Sequence, residues 1–97
     1  MARDPIHPGE HLGEELEEIG LGVGELAAEI GLPEARVVAF LSGREMLDAD
    51  LALRLGKYFG TSPRFWMNLQ SIHDLRVAET AIGHGLDAIR TRAAEPA

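Results

Sequence analysis

The run His7-Pro8-Gly9-Glu10-His11 has the His-x-x-Glu-His spacing of some zinc peptidases. That chemistry needs both imidazoles on one face of an established helix, and a third ligand. Here Pro8 and Gly9 lie between the histidines at a helix start, so the rings need not converge. No carboxylate is marked as the third ligand. The run is read as fixing how the chain leads into the first helix, and no metal site is assigned. His73 and His84 stand alone. Ser42, Ser62 and Ser71 have no His and Asp arranged around them, and Ser62 reads better as a helix cap. The sequence has no cysteine, which excludes thiolate metal sites, disulfides and cysteine nucleophiles together. No catalytic residue and no cofactor is assigned.

What remains to be positioned is a set of cations on short helices. Gly and Pro divide the chain. Pro8 and Gly9 open a first helix with Leu12, Leu16 and Ile19 on one stripe, and Gly20 stops it. Val23 to Ile30 is a second helix with Leu26, Ala27 and Ile30 inward and Gly31 after its end. Leu32-Pro33-Glu34 starts a third, with Pro33 where the helix begins and Val37, Phe40 and Leu41 buried. Asp48 caps a fourth, with Leu51, Leu55, Tyr58 and Phe59 inward and Gly60 as terminator. Thr61-Ser62-Pro63 opens the longest, from Pro63 to about Ala81, and Leu86 to Ile89 form a last short helix. The Ala-Glu-Pro-Ala end should fray. No stretch alternates with period two and no strand is expected, so no glycine can belong to a strand-to-helix phosphate loop.

Ninety-seven residues, 45% apolar and 26% charged, make one soluble domain spanning 1–97. No apolar run is long enough to cross a bilayer and the N-terminus has no signal-peptide core, so a cytoplasmic location is expected. The net charge of −7 argues against binding nucleic acid through bulk charge, but not against a local basic face. The charge is segregated. Residues 9–30 carry seven acids and no Lys or Arg, while 51–72 carry Arg54, Lys57 and Arg64 and no acid. The acidic first third is open to two readings: a solvated helix face, or a docking surface for a basic partner. Trp66, Met67, Leu69, Ile72, Leu75, Val77, Ile82, Leu86 and Ile89 are too many apolar residues for so small a bundle to bury, so a two-fold dimer through the last helices is expected.

Residues 22–43 carry the most information. Two short helices, Glu25–Ile30 and Arg36–Leu41, flank a tight Gly31-containing turn, with small Ala27 at the crossing. This is the spacing of a helix-turn-helix, whose second helix can enter a major groove, and also of a generic helical hairpin. Around it stand His7-Pro8-Gly9-Glu10, Leu41-Ser42-Gly43-Arg44, Leu53-Arg54-Leu55, Tyr58-Phe59-Gly60-Thr61-Ser62, Phe65-Trp66-Met67-Asn68-Leu69-Gln70 and Asp74-Leu75. In this order and spacing, over roughly residues 5–80, the chain resembles the HigA-type antitoxins. These are virulence-associated protein I-like members of the Xre/Cro helix-turn-helix proteins.

The resemblance implies an all-α, Cro/repressor-like bundle of about five helices with a C-terminal helical extension over about 63–94. It implies a homodimeric antitoxin that neutralises a RelE-like ribonuclease toxin and represses its own operon at a palindromic operator. A free-standing helix-turn-helix transcriptional regulator, and a protein-binding module that has lost DNA binding, stay open as alternatives. The chain departs from the family pattern where Gly22 and Val23 replace a Ser and a Gln, and where Pro33 replaces a Ser or Thr cap. On the third helix Ala35, Val38 and Ala39 replace polar residues. The expected DNA-binding set is Glu34, Ala35, Arg36, Val38, Ala39, Arg44 and Lys57. Arg36, the long donor near the helix start, should read a base, and Arg44 should meet phosphate.

Overall fold

The computed structural model describes residues 6–92. Five α-helices come in order: α1 Pro8–Ile19, α2 Val23–Ile30, α3 Glu34–Leu41, α4 Ala49–Phe59 and α5 Pro63–Ile82. A short 3₁₀ segment, Gly83–Ala88, comes after α5. Among the described residues there is no strand. The Ala-Glu-Pro-Ala end and residues 93–94 of the C-terminal extension lie outside them.

The helix boundaries obey local rules. The N–H of Gly9 donates to His7 Nδ1 at 2.9 Å, so the imidazole caps α1 ahead of Pro8. Asp48 and Ser62 cap α4 and α5 by accepting from the N–H groups of Leu51 and Phe65. Gly20, Gly31 and Gly60 close α1, α2 and α4 in the left-handed conformation, which costs a residue without Cβ little. Pro33 takes the place where a Ser or Thr cap would stand. It is the extended N-cap of α3, and Glu34 is the first helical residue. The expected short last helix is instead 3₁₀, set off from α5 by Gly83, which leaves the helical region.

The core forms where the five helices meet. Leu12 and Leu16 of α1, Leu26 and Ile30 of α2, Val37 and Phe40 of α3, Leu51 and Leu55 of α4 and Trp66 of α5 are all buried. Each such side chain contributes about 1.5–3 kcal/mol of burial free energy. The Trp66 Nε1–H donates to Thr61 Oγ1 at 3.0 Å, so burying the indole leaves no donor unmade. Two residues placed on an inward stripe by spacing are exposed: Ile19 and Tyr58. Each lies at the edge of its helix's apolar stripe, where the short neighbouring helices no longer cover it. Only the first half of α5 belongs to the bundle. His73 still packs against His7, and beyond Asp74 the helix projects, carrying Leu75, Val77 and Ile82 into solvent.

Candidate nucleic-acid interface

α2 and α3 form a helix-turn-helix whose turn is held from both sides. The Gly22 N–H donates to Glu25 Oε1 at 3.3 Å at the start of α2. At its end, Leu32 N–H reaches the Ala27 carbonyl at 3.0 Å across Gly31, whose φ is 73°. Arg54 of α4 completes the turn. Its Nη1 donates to the Ile30 carbonyl at 2.6 Å and to that of Gly31 at 3.3 Å, while its Nε donates to Asp50 at 3.0 Å. The sequence showed the Asp50–Arg54 spacing but nothing that tied Arg54 to residues 24 positions earlier.

At about 100° per residue, Val37 and Phe40 fix the inward side of α3, and Ala35, Val38, Ala39 and Ser42 fall on the opposite side. Val38 is 37% exposed, and Ala35 is exposed as well. Glu34 is exposed at the first turn, with its carboxylate over Gly24 of α2. At the far end Ser42 Oγ donates to the Ala39 carbonyl at 3.1 Å and accepts from Arg44 Nε at 2.9 Å. Arg44 is thus held beside the end of α3 on the exposed side.

Arg36 is placed differently from the expectation. It stands on the flank of α3, not on the outer face, and its side chain is only 22% exposed. Nη2 donates to Asp48 Oδ2 at 3.3 Å. Nη1 lies 3.0 Å from Glu45 Oε2, an ion pair whose angle makes no hydrogen bond, so this buried atom has no hydrogen-bond partner. Asp48 serves twice. The Leu51 N–H first, and the Arg36 guanidinium after it, hold its carboxyl below the usual carboxylate range. Lys57 is also set apart. It lines a groove between α2 and α4 with Glu29, Ile30, Leu53, Arg54 and Tyr58, to which α3 contributes nothing.

Four of the seven acids of the first third share one groove along α1, while Glu25 and Glu29 lie on α2. Glu14, Glu15, Glu17 and Glu18 line a shallow groove with His11. Gln70 is a residue that sequence reasoning passed over. It is buried, its Oε1 accepts from the Leu47 N–H at 2.7 Å, and its Nε2 donates to Asp74 at 2.8 Å. It ties α5 to the segment between α3 and α4. His7 Nδ1 is engaged in the α1 cap, and the His7 ring packs edge-on against His73. Among the described residues no group of three or more His, Asp or Glu could hold a metal ion, and no helix is long and apolar enough to cross a membrane.

No protein-family model matches the chain. It is similar to virulence-associated protein I of Dichelobacter nodosus, 40% identical over 75 residues that cover 76% of this chain and 69% of that protein. The structure of an addiction module antidote protein of a HigA family from Coxiella burnetii superposes with a TM-score of 0.89 at 41% identity, covering 94% of this chain and 100% of the other. The Pseudomonas aeruginosa antitoxin HigA with the higBA promoter superposes with a TM-score of 0.86 at 38% identity, covering 92% and 99%.

Proposed function

This chain belongs to the HigA-type antitoxins of the Xre-like helix-turn-helix proteins, and on that premise we propose that it is a homodimeric antitoxin that binds a RelE-like ribonuclease toxin and represses its own operon at a palindromic operator. Like its relatives it is not an enzyme. The observation that carries the DNA half is the outer face of α3. A helix end packed on the core by Val37 and Phe40 leaves Ala35, Val38 and Ala39 outward, with Arg44 held beside them. That is what insertion in a major groove requires. In this reading Arg44 meets phosphate and Glu34 stands at the rim. Arg36 is taken up on the flank by Asp48 and Glu45, and Lys57 serves only DNA that wraps toward α4.

The toxin half rests on charge. A ribonuclease that binds RNA needs a basic surface, and the acidic side of α1 complements one. The dimer rests on the apolar residues of the projecting part of α5 and of the 3₁₀ segment, which the chain itself leaves uncovered.

The test is to look for a small basic protein encoded beside this chain, co-express the two, and then capture and titrate with the upstream DNA. A stable complex that still binds that DNA is the expected result. Changing Glu14, Glu15, Glu17 and Glu18 to Gln should slow association at low salt. A chain that captures no neighbour yet shifts the DNA would point to a free-standing regulator, and one that captures the neighbour but ignores DNA to a protein-binding module.

A further inference from the structure

Resting on the proposed function, in which α3 enters the groove, we infer that this chain reads its operator through the 5-methyl groups of thymine, with Val38 as the chief reading residue and Ala35 and Ala39 beside it. A long cationic donor ordinarily supplies base discrimination by pairing with guanine. α3 has one such residue, and the fold has withdrawn it: Arg36 is clamped on the flank by Asp48 at 3.3 Å and Glu45 at 3.0 Å. Releasing it would strand two carboxylates beside the DNA backbone. The outer face then offers Ala35, Val38 and Ala39, which have no donor or acceptor beyond the helix backbone, and Ser42, whose hydroxyl is already taken by the Ala39 carbonyl and Arg44.

Of the four bases, only thymine presents an apolar group in the major groove. Val38 is 37% exposed on this face, so part of a β-branched apolar side chain is left open for a methyl group to cover. Arg36 is on this account a positioning residue. It fastens α3 to the segment that leads into α4, and so sets how deep Val38 reaches.

The experiment starts from duplexes that the full chain enriches out of a random library. An enriched duplex is then synthesised with deoxyuridine in place of thymidine, one half-site position at a time, which deletes the methyl and leaves the pairing edge intact. Binding should weaken about fourfold per methyl lost at the contacted position, the cost of exposing about one carbon. Val38→Ala should weaken binding to the thymidine duplex and lose little more on the deoxyuridine duplex, so that the two changes are not additive. Arg44→Ala should weaken both duplexes alike. Arg36→Ala, or Glu45→Gln should the first variant fold poorly, should shrink the preference for thymidine over deoxyuridine while leaving the ranking of bases unchanged.

Equal affinity for thymidine and deoxyuridine duplexes at every position overturns the inference while leaving operator binding intact. So does a change in base ranking on substituting Arg36 or Glu45, or additive losses for Val38→Ala and methyl deletion. Failure to enrich any sequence overturns this inference and the DNA half of the proposed function together.

Discussion

The Arg54 guanidinium lies 2.6 Å from the Ile30 carbonyl oxygen, joining the middle of α4 to the last residue of α2. A cation at a helix C-terminus satisfies a carbonyl that no backbone donor reaches and offsets the negative end of the helix dipole. It also fixes the turn from which α3 departs. Arg54→Met keeps most of the apolar stem and removes the donor. With the site partly open to water, the loss should be about 1–2 kcal/mol, read as a lower urea midpoint with unchanged slope. A variant as stable as the wild type would show that water replaces the guanidinium without cost.

Gly9 is needed for space. A Cβ there would collide with the Phe40 carbonyl oxygen, which the packing of α1 on α3 brings against the helix start. Gly9→Ala should therefore cost about 1–3 kcal/mol through forced separation of the two helices. Gly13, one turn on, meets only the tip of Leu41 at 3.9 Å. Gly13→Ala should instead gain about 0.5–1 kcal/mol from helix propensity. Equal effects of the two substitutions in denaturant titration would rule out the collision.

The α1 cap should depend on pH. His7 Nδ1 can accept the Gly9 N–H only while its ring is uncharged at that atom. Burial first, and His73 second, lower the His7 pKa, against the opposing pull of Asp74 and Glu10. The folded state thus binds the proton less readily than the unfolded chain. The stability this provides is complete above the ordinary histidine pKa of about 6.5, and is lost as pH falls through the lower folded value. His7→Asn keeps a cap acceptor that does not titrate. Between about pH 7.5 and 5, a range that brackets the ordinary value, the wild type should lose more stability than this variant, His73 being common to both. Parallel curves would refute the assignment. Asp48, whose carboxyl is held below the carboxylate range by the Leu51 N–H and Arg36, should add its own loss only at still lower pH.

The projecting end of α5 predicts the oligomeric state. Leu75, Leu86 and Ile89 are at least half exposed, and a second copy related by a two-fold axis would cover them. Light scattering at micromolar concentration should give twice the chain mass. The double variant Leu75→Lys, Leu86→Lys should give the chain mass with helix content unchanged. A monomeric wild type would remove the dimer from the proposed function.

The sequence by itself determined the five α-helices and where α1, α2 and α4 stop. Gly20, Gly31 and Gly60 terminate, and Asp48 and Ser62 cap, through interactions that span only a few residues, so local spacing suffices to find them. The helical pair around the Gly31 turn was legible for the same reason, Ala27, Gly31, Val37 and Phe40 being a short-range pattern, but only the wider run of motifs distinguished a helix-turn-helix from a generic hairpin. Only the tertiary structure decided what the cations do. Arg36 reads from sequence as a free donor on the third helix, yet its fate depends on Glu45 and Asp48, nine and twelve residues on, and on the path of the intervening segment. Arg54 reaches back 24 positions to Ile30, and Gln70 reaches 23 to Leu47. A long polar side chain can satisfy itself in many places, and its partner is fixed only when packing of the apolar core brings distant backbone groups within about 3 Å of it.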